Sequence, residues 1–263
     1  MARLVPLFSG SSGNSYYVGN SEEGVLLDIG RSCKQTVEML ENCGIRPTAV
    51  KGIFITHEHS DHVKGLRVFA SKYNLPVFAT PGTIRALDAM NEINGKFPVY
   101  EMESGISVAG MEVYSFATSH DCAQSCGYRV HTADGRVMAL ATDLGFVSDE
   151  VMDGIKGADY LVLESNHDVG MLTSGPYPYQ LKKRILSDVG HLSNETCAQL
   201  LPKLIKDGTR KFMLAHISKE NNLPELAYQT SLCRLTMEGM NENNDFTLNL
   251  APVDNSRGTS IVF

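Results

Sequence analysis

Six consecutive residues, His57-Glu58-His59-Ser60-Asp61-His62, carry three imidazoles directly after an apolar run, Gly52-Ile53-Phe54-Ile55-Thr56. An apolar run that ends in ligand-type side chains is the pattern of a buried strand delivering residues to a sheet edge. The spacing His-x-His-x-Asp-His offers two side chains to each of two ions. In an extended loop residues i and i+2 point the same way, so His57 and His59 can grip one ion. Asp61 and His62 then turn into the next helix and face a second.

Three further candidates each follow an apolar run: His120 after Val113 to Ser119, Asp143 after Val137 to Thr142, and His216 after Phe212 to Ala215. Taken singly, each is an ordinary histidine or aspartate; beside the six-residue cluster they become ligands. His120 completes the first triad, His216 completes the second, and Asp143 can bridge because a carboxylate binds through both oxygens. Two ions about 3.5 to 4 Å apart hold a bridging hydroxide whose pKa falls toward neutrality, and they clamp the attacking and leaving oxygens of an ester. The nitrogen-rich set suits zinc, and manganese or iron fit a mixed imidazole and carboxylate site nearly as well.

His191, in Gly190-His191-Leu192-Ser193-Asn194, lacks a preceding apolar strand and reads as a proton donor rather than a ligand. Ester cleavage leaves an alkoxide that a positioned histidine can protonate. The plainer alternative is a histidine at a helix start with no catalytic role. Glu164, ending Tyr160-Leu161-Val162-Leu163, could accept the other N–H of that imidazole and orient it. His167 and Asp168 follow closely, either as substrate contacts or as residues that shape the loop. Lys182, Lys183 and Arg184 stand near Tyr177 and Tyr179, a set able to meet phosphate and stacked bases, or simply a solvated helix face. The loop Ser9 to Ser15 is rich in small donors, with Ser11 and Asn14 as candidate substrate contacts. It lacks the Lys-Ser/Thr ending of a nucleotide P-loop.

The elements that must position these groups alternate strand-like and helix-like runs, which indicates an α/β layering. Strands are expected at 4–8, 16–18, 25–29, 52–55, 77–79, 111–116, 127–131, 137–141, 160–163, 211–214 and 246–248. Cys197, Leu200, Leu201, Leu204 and Ile205 recur at helical spacing between an N-cap at Ser193 and Gly208. Cys33, Val37, Leu40 and Cys43 give a second amphipathic face closed by Gly44. Segments 61–73, 82–90 and 178–188 are further helix candidates. If the ligand-bearing strands share a sheet and direction, their C-terminal ends converge on one edge.

The 263 residues contain no linker-like stretch, so one domain spanning 1–263 is expected. A hydrophobic fraction of 43% and a charged fraction of 20% argue against disorder. The N-terminal apolar stretch is too short for a signal peptide, and no span approaches the roughly 20 apolar residues of a membrane helix. The six cysteines are scattered without zinc-finger pairs and read as reduced thiols of a cytoplasmic protein, with Cys122 and Cys126 near enough to His120 for a metal role to be conceivable. A net charge of −7 argues against a broad basic surface but leaves room for a nuclease, because two divalent ions make their own groove positive.

Together Leu26-Leu27-Asp28-Ile29-Gly30, the 57–62 loop, His120, Asp143 and His216 resemble the successive motifs of the metallo-β-lactamase fold. The resemblance covers most of the chain. It implies a four-layer αβ/βα sandwich with the dinuclear site at one rim, and Asp28 holding the metal loop rather than an ion. Common zinc β-lactamases place a cysteine in the second site, where this chain offers Asp61 and Asp143, so lactamase activity is disfavoured. Glyoxalase II and the phosphodiesterases share such an aspartate. The Gly-His-Leu-Ser-Asn segment followed by Leu214-Ala215-His216-Ile217-Ser218 is similar to the paired histidines of the tRNase Z and cyclic-phosphodiesterase branch. Ser9 to Ser15, Glu164 to Asp168, Gly190 to Asn194 and His216 to Asn222 more closely resemble the WalJ (YycJ) group, described as 5′ to 3′ DNA exonucleases. No segment is long enough for the exosite arm of tRNase Z or the β-CASP insertion of RNase J. The expectation is a dinuclear phosphodiesterase, a DNA exonuclease with His191 as acid. Its rivals are a small-molecule hydrolase, of cyclic phosphodiesterase or glyoxalase II type, and a regulatory metal-binding protein without turnover.

Overall fold

The computed structural model describes residues 2–102 and 105–263. Strands β1 (Arg3–Phe8), β2 (Ser15–Gly19), β3 (Gly24–Leu27), β4 (Val50–Phe54), β5 (Val77–Ala79) and β6 (Val99–Glu101) form one sheet with β14 (Ile261–Val262), in the order β14-β1-β2-β3-β4-β5-β6. The second sheet has the order β13-β12-β11-β10-β9-β8-β7. Its strands are β7 (Ile106–Val108), β8 (Met111–Ala117), β9 (Cys126–His131), β10 (Val137–Ala141), β11 (Tyr160–Glu164), β12 (Lys211–Ala215) and β13 (Thr247–Leu250). The helices are α1 (Cys33–Asn42), α2 (Ser60–Val63), α3 (Leu66–Tyr73), α4 (Pro81–Ala89), α5 (Asp149–Ile155), α6 (Val169–Ser174), α7 (Tyr179–Ile185), α8 (Asn194–Lys206) and α9 (Pro224–Met237).

Side-chain alternation along each strand explains why the two sheets are sandwiched between helices. In β11, Tyr160 and Val162 enter the core between the sheets, whereas Leu161 and Leu163 pack with Leu201, Leu204 and Leu235 of α8 and α9. Phe54 of β4 likewise points between the sheets, stacking on Phe78 at 4.7 Å and meeting Tyr128 edge-on at 5.6 Å. Its neighbours Ile53 and Ile55 face Leu40, Phe69 and Leu87 on the opposite side. Both strand faces are buried, so these strands read as continuous apolar runs rather than alternating ones. The result is the expected αβ/βα order of layers.

Strand direction determines where the chemistry collects. In the first sheet β3 and β4 run parallel. In the second, β10, β11 and β12 run parallel, and β8 shares their direction through two antiparallel steps across β9. The one-sheet condition under which the sequence reading placed the strand ends on one edge is therefore not met. The ligand-bearing strands belong to both sheets, and their C-terminal ends meet across the rim.

Other expectations change in detail. The strand at 25–29 stops at Leu27 because Asp28 turns into the left-handed region, with φ of 61°. The helix expected over 61–73 is two helices, interrupted at Lys64 and Gly65. A side chain at Gly65 would collide with the Arg31 carbonyl, and its amide donates to Ile29 O at 3.0 Å. The last long strand is shifted to Thr247–Leu250. Strands β6, β7 and β14 and helices α5, α6 and α9 carried no clear periodic signal. In α9 the buried stripe is Ala227, Ser231 and Leu235, only one of them large and apolar.

Candidate metal centre

The first-sheet half of the rim is organised by Asp28. Its Oδ1 accepts from the Thr56 amide at 2.8 Å, and its Oδ2 accepts from Thr56 Oγ1 at 2.9 Å and from His62 Nδ1 at 2.8 Å. A carboxylate can only accept, so His62 carries its proton on Nδ1 and presents Nε2 to the rim. The Asp28 carboxylate touches the loop alone, through Thr56 and His62. Burial pushes its carboxyl above the usual range, against the opposing pull of His62 and Thr56. Gly30 lets the next layer approach: any side chain there would strike the Asp61 carbonyl. Across that gap the Asn14 amide donates to Asp61 O at 2.8 Å, and the Ile29 amide donates to His62 O at 2.8 Å.

The second-sheet half is organised by Glu164 at the end of β11, fully buried. Its Oε1 accepts from His216 Nδ1 at 2.7 Å, His191 Nδ1 at 3.0 Å and the Asp143 amide at 3.1 Å. Its Oε2 accepts from the Leu192 amide at 2.9 Å and the Leu144 amide at 3.3 Å. The orienting contact expected for His191 is present, and the same carboxylate also fixes His216. Burial alone would raise its pKa, but His191 and His216 outweigh that and hold it well below the ordinary range. The halves are stitched together by Ser9, whose Oγ accepts from the His216 amide and from Tyr16 Oη, each at 2.9 Å.

Two triads result. His57, His59 and His120 bring three nitrogens within mutual reach, and Asp61, His62 and His216 bring a carboxylate oxygen and two nitrogens together at a second point. Asp143 lies between them, with Oδ1 3.3 Å from His216 Nδ1 and 3.8 Å from His120 Nε2, and Oδ2 3.5 Å from His62 Nε2. His120 Nδ1 donates to Gly190 O at 3.1 Å, which leaves its Nε2 for the rim. Backbone strain concentrates here: Asp143 (φ 57°) and His216 (φ 53°) join Asp28 in the left-handed region, where non-glycine residues are uncommon.

These residues fit a divalent cation. His57 Nε2, Asp143 Oδ2 and His216 Nε2 are buried without a hydrogen-bond partner, a costly arrangement that an ion would relieve. Burial and the surrounding imidazoles push His57 well below its usual pKa, so its lone pair is available. Burial also depresses His62 and His216, but Asp143 with Asp28 lifts His62 well above its usual value, and Asp143 with Glu164 lifts His216 to about 9. Such carboxylate-driven shifts mark a potential that calls for positive charge.

The mouth of the site is a cleft of about 230 Å³, into which Ser11, Asn166, Tyr177, Leu181, Arg184 and Ser218 project beside the triads. Of the substrate contacts read from sequence, Ser11 and Arg184 lie here. Arg184 is already paired with Asp121, its Nη2 at 2.9 Å. The other three lie elsewhere. Asn14 is buried against the ligands, with Nδ2 3.1 Å from His62 Nε2. Lys182 points away, its ammonium donating to Thr173 O and Gly175 O at 2.7 Å each, because the last turn of α6 leaves carbonyls unpaired. His167 is buried outside the cleft, and Asp168 caps α6 by accepting from the Met171 amide at 2.7 Å. Cys126 is a buried thiol packed on the Thr56 carbonyl, and neither it nor Cys122 enters a ligand group. Asn166 and Ser218 are not among the contacts read from sequence, although each stands two residues beyond a strand-end site residue, the same spacing as His59 beyond His57.

A sequence profile of the Beta-lactamase superfamily domain matches residues 25–217. The chain is 45% identical over 226 residues to an exodeoxyribonuclease YycJ of Bacillus anthracis, covering 84% of each protein. It is 38% identical over 244 residues to an exodeoxyribonuclease WalJ of Streptococcus pneumoniae, covering 91% of this chain and 90% of that one. In structure it is similar to the metallo-β-lactamase fold protein YhfI from Bacillus subtilis, with a TM-score of 0.71 at 12% identity over 96% of this chain and 97% of the other. It is similar also to a diphosphatase from the PhnP family, with a TM-score of 0.68 at 19% identity over 99% and 96%. By profile, relatives and fold alike, the chain belongs to the metallo-β-lactamase superfamily, alongside the YycJ and WalJ proteins.

Proposed function

We propose that this protein is a dinuclear metal-dependent phosphodiesterase that degrades DNA as an exonuclease, and that residues 1–263 act as one hydrolase domain. The observation that carries the reading is His191, poised beside two ligand triads with its Nδ1 on Glu164. His57, His59 and His120 would hold one ion, Asp61, His62 and His216 the other, with Asp143 shared. Zinc or manganese suits that donor set, with iron a further fit. When bound, the ions would supply Lewis acidity toward the phosphoryl oxygens and lower the pKa of water.

The chain's own residues supply the rest. With Nδ1 committed to Glu164, His191 offers Nε2 as the atom that gives a proton to the departing sugar oxygen. Glu164 keeps the charge of that imidazole balanced while the proton is held. Asn166 positions the His216 backbone by donating to its carbonyl at 2.8 Å. The names of the YycJ and WalJ relatives support DNA as substrate, and the resemblance favours digestion from the 5′ end. All six cysteines are free thiols, which fits a cytoplasmic protein. No helix among the described residues is long and apolar enough to cross a membrane.

The test is incubation of end-labelled DNA and RNA with the zinc- or manganese-loaded protein and with the Asp61→Ala variant. Stepwise shortening of DNA by the wild type, lost together with bound metal in the variant, is expected. If the loaded wild type leaves single- and double-stranded DNA intact while hydrolysing a cyclic phosphodiester or a thioester, the nuclease reading fails.

A further inference from the structure

A second cleft, of about 280 Å³, adjoins the metal-site mouth and shares Ser11 and Ser218 with it. Its walls are mainly apolar, formed by Ile217, Leu223, Pro224 and Val253, with Lys219 at the edge. Leu223 and Val253 are more than half exposed, at 53% and 54%, out of keeping with side chains that serve only the core. The cleft is also held rigid. Asn222, buried at its floor, donates to Ser165 O at 3.0 Å and Asn166 O at 2.9 Å and accepts from the Leu223 amide at 2.9 Å. The start of α9 is thereby tied to the strand end that carries Glu164.

Between the two clefts lies the turn Gly10 to Gly13, closed by the Gly13 amide on Gly10 O at 2.9 Å. Among the described residues no group accepts from the central amides of Ser11 and Ser12, and Lys219 makes no ion pair. Apolar walls beside free donors and a cation, continuous with a centre that cuts phosphodiesters, match a ligand with a flat apolar part attached to phosphate. We propose that this cleft binds the base of the nucleotide next to the scissile phosphate in a single DNA strand, with the intervening phosphate against the Ser11–Ser12 turn and Lys219. This rests on the nuclease reading and adds a subsite to it. The strand would then run from the Tyr177 and Arg184 side of the metal centre to the Leu223 side.

The experiment compares oligodeoxynucleotides that are intact or carry one abasic residue, stepped along the first positions from the labelled end. Wild type is compared with Leu223→Ala and with Leu223→Ala/Val253→Ala. Binding by fluorescence anisotropy in EDTA gives a readout independent of turnover, and KM and kcat are measured on the manganese-loaded protein. Both side chains are exposed, so the fold is retained, which thermal melting verifies. Removing about 60 Å² of apolar surface from water at roughly 25 cal/mol per Å² corresponds to about a tenfold effect. Wild type should lose about that factor in affinity and KM at one abasic position, and the double variant should lose the same factor on intact DNA with no further penalty from the abasic site. An abasic penalty that persists unchanged in the double variant overturns the subsite while leaving the nuclease reading intact. Failure of the loaded wild type to cut any DNA overturns the nuclease reading, and the subsite with it.

Discussion

The two halves of the metal centre are built on opposite plans. In the first-sheet half four candidate ligands come from one six-residue loop, and Asp28 needs only Thr56 and His62 to hold it. In the second-sheet half Asp143, His191 and His216 come from separate strand ends and loops, and a single carboxylate, Glu164, receives hydrogen bonds from all three and from two further amides. Local assembly spreads the positioning over backbone geometry, whereas dispersed assembly concentrates it on one side chain. The second half should therefore be far more sensitive to a single substitution.

Glu164→Ala tests that contrast most severely. It strips a buried charge network of its acceptor and should cost about 3 to 5 kcal/mol in urea unfolding, with loss of metal from the second triad measured by elemental analysis. A Glu164→Ala protein with wild-type stability and metal content would erase the distinction between the halves. His191→Ala should keep both ions yet lower kcat by about 10² to 10⁴, since only proton donation is removed. In the first half Asp28→Asn should weaken metal affinity by roughly 10- to 100-fold without abolishing loading; competition with a chelator measures it.

The charge of His216 gives a pH test of the same asymmetry. Burial lowers its pKa but Asp143 and Glu164 together lift it to about 9. In the ion-free protein that ion pair contributes stability fully below the ordinary histidine value of about 6.5, and the contribution fades as pH rises through about 9. An ion must displace this proton and that of His62, which is also lifted well above its usual value, so metal affinity should climb by up to about a hundredfold per pH unit below about 9 and less steeply above it. His57, already neutral, adds no such slope. The smallest effect is expected at Lys182→Met, about 1 kcal/mol of stability from the two lost carbonyl contacts, with kcat/KM little changed.

How much of this was readable depended on how local each feature is. The 57–62 loop declared itself because ligand types crowd into one turn of chain after an apolar strand. Asp143 and His216 were legible as strand-end residues, but that they approach from a second sheet was not, since pairing partners are not encoded in any single segment. Glu164 was seen with one partner out of five because its hub role depends on where residues 20 to 52 positions away come to rest. Lys182 looked like a phosphate ligand by type and neighbourhood, yet the unpaired carbonyls at the end of α6 claimed it first. Helix α9 was hidden by a buried face with alanine and serine beside a single leucine, and the strand end at Asp28, though not its holding role, by an apparent continuation through Ile29.

The left-handed backbone at Asp28, Asp143 and His216 has an evolutionary corollary. At these positions glycine or asparagine would relax the chain, yet either change removes a carboxylate or imidazole that the centre uses. Relief of backbone strain and retention of the site's donor groups therefore pull in opposite directions at the same codons.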